Sequence, residues 1–136
     1  MLKYIITYLG MGGVFAALDA GYLTIAGSSV DRPTLDYALA DKPNLTAAVA
    51  FYLMYIAGVL VLGVLPNKDA SLGKAARTGA LLGAFAYATY DLTNQATLRI
   101  WATRITLIDI CWGTFLTCVG ASVGWLIWRW ASRVFP

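Results

Sequence analysis

The sequence predicts an all-α membrane protein folded as a bundle of four transmembrane helices. Of its 136 residues, 60% are hydrophobic and only 12% are charged, and the mean hydropathy is +0.68. A soluble domain carries about 25% charged residues. Four apolar stretches take up most of the chain, and each is long enough to cross a hydrocarbon core of about 30 Å. Residues 1–136 are therefore predicted to form a single transmembrane domain.

The four predicted spans are bounded by residues that favour helix ends and membrane interfaces. They cover residues 4–26, 45–65, 75–97 and 105–128. Asn44 is a predicted N-cap of the second span, and Pro66 is expected to end it. An aromatic belt at the end of the fourth span is expected from Trp125, Trp128 and Trp130.

The long connection between the first two spans, residues 27–44, is predicted to contain a short helix on the membrane surface. Pro33 stands at a first-turn position, and Leu35 and Leu39 share a helical face. A plain connecting turn is the alternative.

A weak internal similarity relates the two halves of the chain. Aligning Asp19 with Asp91 also pairs Phe15 with Tyr87. Two helical hairpins related by an axis along the membrane normal would produce such a pattern, as in parallel-repeat transporters. A two-hairpin repeat is therefore one arrangement that the four spans allow.

The distribution of Lys and Arg predicts the orientation. The side with both termini carries six, namely Lys3, Lys68, Lys74, Arg77, Arg129 and Arg133. The opposite side carries four, namely Arg32, Lys42, Arg99 and Arg104. The positive-inside rule then places both termini in the cytoplasm. Although the pI is about 9.0, the basic residues are scattered singly, so nucleic acid is not an expected partner.

Three aspartates fall inside the predicted spans, where charged residues are costly and tend to mark function. At 1.5 Å per residue, Asp19 lies roughly 22 Å and Asp91 roughly 20 Å from the terminus side, while Asp109 lies roughly 7 Å from the other side. All three are therefore predicted to share one layer, about 7 to 10 Å beneath the outer surface.

Aromatic and polar residues of all four spans are predicted to line the same layer. The candidate buried polar pocket consists of Asp19, Tyr22, Tyr52, Tyr55, Tyr87, Tyr90, Asp91, Asn94, Asp109 and Trp112. Tyrosine hydroxyls can donate to carboxylates while their rings pack in apolar surroundings. The competing interpretation is that these groups only hold the helices together or anchor them at the interface.

The residue types available give no reason to expect a cofactor or a metal. The chain has no histidine, the commonest ligand for transition metals. Three aspartates alone are too few for an all-oxygen site, which takes about six ligands.

Several of these residues also form motifs of a known family. The runs Tyr87-Ala-Thr-Tyr-Asp-Leu-Thr-Asn94 and Asp109-Ile-Cys-Trp-Gly113, with Asp19, Phe51-Tyr52-Leu-Met-Tyr55 and Pro66, resemble a family of small bacterial four-helix membrane proteins catalogued as a domain of unknown function. The resemblance covers nearly the whole chain and implies a bacterial inner-membrane protein. Members are often encoded near enzymes that modify fatty-acyl chains, which implies a link to lipids. The family has no assigned activity, so it implies no catalytic residue.

These observations lead to a lipid-linked function as the first hypothesis. The pocket would bind a membrane lipid or help to modify it near the outer leaflet, with Arg99 and Arg104 contacting the headgroup. No nucleophile and base pair is recognisable, so the sequence does not decide whether the protein is an enzyme. The alternatives are an accessory subunit that pairs with a membrane-protein partner or a second copy, and a small transporter or a proton or cation pathway.

Overall fold

A computed structural model of the chain describes residues 1–26 and 42–135, and these residues form four long helices. The helices are α1 (Leu2–Ala26), α2 (Leu45–Gly58), α3 (Leu72–Thr97) and α4 (Thr103–Val134). Past Gly58, α2 continues as a π-helix over Val59–Val64 and a 3-10 turn over Leu65–Asn67. The predicted all-α, four-helix fold is confirmed for this part of the chain. The predicted surface helix, which the sequence places after Pro33, lies outside the described residues.

The helix ends follow the local sequence signals. The Asn44 side-chain oxygen accepts a hydrogen bond from the Ala47 backbone N–H at 3.1 Å, as an N-cap does. Ser71 caps α3 in the same way through the Lys74 N–H, at 3.3 Å. Helix α4 has 32 residues and is about 48 Å long, so it extends beyond a hydrocarbon core of about 30 Å.

Helix α4 is the centre of the bundle, since α1, α3 and the π-helical segment all pack against it. The core between them consists of Met11, Phe15, Ile56, Val59, Leu60, Val64, Leu116, Ala121 and Trp128. Large apolar side chains also cover the outside of the bundle, such as Met54 and Phe85, which are 72% and 71% exposed. An apolar exterior of this kind suits a surface in contact with lipid tails.

Helices α3 and α4 approach each other through small residues. A Cβ atom on Gly79 would lie 2.6 Å from the Thr117 carbonyl oxygen. A Cβ on Gly83 would overlap the Gly113 carbonyl oxygen and lie 2.7 Å from Thr117 Oγ1. The two backbones are therefore in direct contact, as expected for the Gly79-x-x-x-Gly83 spacing.

Within the described residues, α1, α2 with its extension to Asn67, and α4 are long and apolar enough to cross a membrane. Helix α3 has 26 residues, which is also sufficient length. Its composition is less apolar because its second half carries Asp91, Asn94 and Gln95. Helix α3 is therefore the most polar of the four helices.

The close contact of α3 with α4 predicts that Gly83 tolerates no side chain. We expect Gly83→Ala to destabilise the folded bundle by about 1–3 kcal/mol, because the added methyl overlaps backbone atoms of α4. Gly13→Ala is the matched control, since a Cβ at Gly13 meets nothing within 4 Å. Thermal unfolding in a mild detergent, followed by circular dichroism, would measure both variants. Equal melting temperatures for the two variants would contradict the close contact between α3 and α4 at Gly83.

Candidate functional site

Asp19 links three helices through its carboxylate. It lies on α1 and is only 6% exposed. Tyr52 of α2 donates its hydroxyl to Oδ2 at 2.7 Å, and Trp112 of α4 donates its indole Nε1–H to Oδ1 at 2.9 Å. A charged group in a membrane interior is costly unless it is hydrogen-bonded, and here two aromatic donors satisfy one oxygen each.

Asp109 of α4 is held in a similar way by α1. The Tyr22 hydroxyl donates to Asp109 Oδ1 at 2.7 Å. The Tyr22 ring is stacked on the Trp112 indole, with centroids 4.3 Å apart and an angle of 9° between planes. Asp19 and Asp109 also lie within electrostatic range of each other. The two carboxylates thus belong to one cluster, joined by the stacked rings of Tyr22 and Trp112.

Two further tyrosines pack beside these carboxylates. The hydroxyl groups of Tyr55 and Thr117 are hydrogen-bonded at 2.9 Å. The Tyr87 ring covers Gly113, where even a Cβ would overlap it, and its hydroxyl is within electrostatic range of Asp19 and Asp109. We call the eight residues Asp19, Tyr22, Tyr52, Tyr55, Tyr87, Asp109, Trp112 and Thr117 the acid–aromatic cluster.

Asp91 is fully buried on the side of α3 that faces α4. It lies four residues after Tyr87, which contacts Gly113, and four before Gln95. The Gln95 side chain accepts a hydrogen bond from Thr106 at 2.7 Å and donates one to Thr103 at 2.9 Å. Helical spacing therefore places Asp91 at the interface between α3 and α4, next to the acid–aromatic cluster.

The remaining predicted site residues lie outside the acid–aromatic cluster. Tyr90 is 60% exposed, and its ring meets Trp101 edge-on at 5.7 Å. One residue corresponds to a rotation of about 100° around a helix, so Tyr90 cannot share the inward direction of Asp91. Asn94 is half-buried, and Arg99 and Arg104 are exposed at the end of the bundle where α3 and α4 are connected.

Two apolar grooves flank the acid–aromatic cluster. We call the larger one, on α1 and α4, the Trp112 groove; its volume is about 480 Å³ and it is lined by Tyr22, Leu107, Ile108, Cys111, Trp112 and Phe115. The smaller one, between α2 and α3, has a volume of about 330 Å³ and is lined by Phe51, Tyr55, Ala86, Tyr87 and Tyr90. Tyr22 and Trp112 form part of the Trp112 groove and also bond the carboxylates behind it.

Sequence reasoning did not single out Thr117 or most of the Trp112 groove. A signal was present, because Leu107, Cys111 and Phe115 recur every four residues and so share one face of α4. Thr117 follows Gly113 by the same spacing. In the part of the chain that the structure describes, no group of three His, Cys, Asp or Glu side chains could hold a metal ion; the absence of a cofactor stays a prediction.

A comparison with protein families matches residues 4–126 to a family described as predicted membrane proteins, DUF2177. The chain belongs to this family. The predicted resemblance to an uncharacterised membrane-protein family is thereby confirmed. No curated protein and no solved structure matches the chain. The family identifies a membrane protein and assigns it no activity, so the function has to be argued from the site.

The hydrogen bond from Tyr52 to Asp19 predicts that removing one hydroxyl group lowers the stability of the protein. We expect Tyr52→Phe to destabilise the protein by about 1–3 kcal/mol, because a buried carboxylate oxygen loses its donor. Tyr4→Phe is the matched control, since Tyr4 is 44% exposed and meets Trp128 through its ring. Thermal unfolding in detergent would compare the two. A Tyr52→Phe variant as stable as Tyr4→Phe would refute the proposed role of this hydrogen bond.

Proposed function

We propose that the protein binds a membrane lipid at the acid–aromatic cluster, with an acyl chain in the Trp112 groove. The proposal places the cluster in the outer leaflet of a bacterial inner membrane and both termini in the cytoplasm, following the Lys and Arg distribution. One observation carries it: the aromatic side chains that wall the Trp112 groove are also the donors to the two buried carboxylates.

The Trp112 groove is an open depression with a lining that suits a lipid chain. Its volume is about 480 Å³. Its lining is almost entirely apolar, and Leu107 is 61% exposed on the outside of the bundle. A lipid tail can therefore enter sideways from the bilayer and lie against Tyr22 and Trp112 without a channel through the protein.

The two carboxylates can accept further hydrogen bonds, which favours a ligand that carries hydrogen-bond donors. An ionised carboxylate can accept about four hydrogen bonds. From the residues that the structure describes, Asp19 accepts two, from Tyr52 and Trp112, and Asp109 accepts one, from Tyr22. A headgroup with hydroxyl or ammonium groups could donate further hydrogen bonds to them. Its phosphate would stay nearer the surface, where Arg99 and Arg104 are exposed.

The alternative functions receive less support from the geometry. A transport pathway needs polar groups through the bundle, yet on the terminus side of the cluster the described core is filled by Met11, Val59 and Val64, all fully buried. The buried Thr7 there donates its hydroxyl to its own helix, at the Lys3 carbonyl oxygen. For an accessory subunit, no single feature of the described residues points to a particular partner.

The test is the lipid content of the purified protein. The full chain would be extracted from bacterial membranes in mild detergent, and its bound lipids quantified by mass spectrometry against the bulk membrane composition. We expect one lipid class to be enriched on the wild type. Cys111→Trp fills the groove and should reduce that lipid about tenfold, a loss of about 1.4 kcal/mol. Asp109→Asn should weaken the selection of headgroup.

The matched control is Leu62→Trp, which introduces the same side chain at a 56% exposed position of the α2 extension outside the groove. It should leave the lipid content unchanged. Bulk-like lipid on the wild type, or the same enriched lipid on Cys111→Trp as on Leu62→Trp, would disprove the proposed function.

A further inference from the structure

A polar pocket lies at the opposite end of the bundle from the acid–aromatic cluster. Its volume is about 260 Å³, and it is lined by Lys68, Asp69, Trp128, Arg129, Ser132 and Arg133. Lys68 and Asp69 follow the end of the α2 extension, and the other four residues lie in the last two turns of α4. We call this site the basic pocket.

The basic pocket is a built site, because hydrogen bonds of Asn67 hold the turn before Lys68 in place. The Trp125 indole N–H donates to the Asn67 carbonyl oxygen at 3.0 Å. The Asn67 side chain donates to the Gly63 carbonyl oxygen at 2.9 Å and to Thr78 Oγ1 at 3.1 Å. The first of these bonds joins the turn that carries Lys68 and Asp69 to the end of α4, and the others join it to the α2 extension and to α3.

The charges of the basic pocket favour an anion. Three cationic side chains line it, against the single carboxylate of Asp69. Among the described residues, none of the three forms an ion pair. The Arg129 guanidinium instead lies over the Trp125 ring at 5.4 Å. A neighbouring cation, Lys3, lies over the Trp128 ring at 5.6 Å. Trp125 therefore positions both the turn and Arg129.

Apolar surface continues from the rim of the basic pocket onto the outside of the bundle. Trp130, Leu126 and Val134 of α4 are 54%, 51% and 51% exposed. Tryptophans at this level of a membrane protein mark the headgroup region. Basic pockets between transmembrane helices at the cytoplasmic face are known to take anionic lipid headgroups. A phospholipid with its phosphate in this pocket would thus place its acyl chains on the neighbouring apolar surface.

We infer that the basic pocket binds the headgroup phosphate of an anionic phospholipid. Arg129, Arg133 and Lys68 pair with the phosphate oxygens, and the Ser132 hydroxyl is a further donor. The site is independent of the proposed function, because it shares no residue with the acid–aromatic cluster or its grooves.

The experiment measures lipid binding to the full-length protein in an uncharged detergent by native mass spectrometry. Phosphatidylglycerol and phosphatidylcholine with identical acyl chains are the two probes. We expect the wild type to bind phosphatidylglycerol at least tenfold more tightly. Arg129→Ala/Arg133→Ala should reduce that affinity about 30-fold, since each cation near the surface contributes about a factor of five.

Arg77→Ala is the matched control. Arg77 is an exposed cation on α3 at the same end of the bundle and does not line the basic pocket. It should leave the affinity within twofold of the wild type. Arg133→Ala alone, near the end of α4, is the milder variant if the double variant is unstable, and should cost about fivefold.

Three results would overturn the inference. The first is that the wild type binds phosphatidylglycerol and phosphatidylcholine with equal affinity. The second is that Arg77→Ala and Arg133→Ala reduce the affinity for phosphatidylglycerol equally. The third is displacement of phosphatidylglycerol by millimolar inorganic phosphate at constant ionic strength, which would identify a site for free phosphate instead. The Cys111→Trp variant tests the other lipid site, at the acid–aromatic cluster. Its result does not affect these three outcomes.

Discussion

A carboxylate inside a membrane needs hydrogen-bond donors from its neighbours, because neither water nor lipid tails supply them there. In this protein the requirement is met by aromatic side chains on different helices. Asp19 of α1 receives donors from α2 and α4, and Asp109 of α4 receives one from α1. The carboxylates therefore keep their donors only if α1, α2 and α4 hold fixed rotations about their axes. In this way the acid–aromatic cluster fixes how the helices are arranged at its end of the bundle.

The other features of the fold support this cluster. The glycine contacts bring α3 so close to α4 that the Tyr87 ring lies directly on Gly113 and closes the cluster from that side. On the terminus side, interdigitated apolar residues fill the core, with Gly124 accommodating Met11 and Val64. At the far end, Asn67 joins the end of α2 to α3 and α4. The bundle thus has a polar aromatic end, an apolar middle and a basic end.

The sequence predicted the helices well because their signals are local. Hydropathy, the Asn44 cap and Pro66 place the helix ends within a few residues of those observed for α1, α2 and α3. The common depth of Asp19 and Asp109 followed from counting residues along straight helices. Both carboxylates and their three aromatic donors were among the predicted site residues.

The pairing of donors with carboxylates could not be predicted, because it depends on how each helix is rotated against the others. Tyr90 shows the difficulty: it is adjacent to Asp91 in sequence and points to the outside of α3. The π-helix over Val59–Val64 had no local signal, since an apolar run of that kind is equally compatible with an α-helix. The basic pocket was also missed, because its residues come from two segments far apart in sequence.

The most direct test of the account is a double-mutant cycle on the two donors of Asp19. Unfolding free energies in detergent would be measured for Tyr52→Phe, Trp112→Phe and the double variant, with Tyr4→Phe/Trp112→Phe as the reference cycle. If both donors satisfy one buried carboxylate, the loss in the double variant should differ from the sum of the single losses by about 0.5–3 kcal/mol. Additive losses in the Asp19 cycle, as expected for the reference cycle, would contradict the central role of this carboxylate.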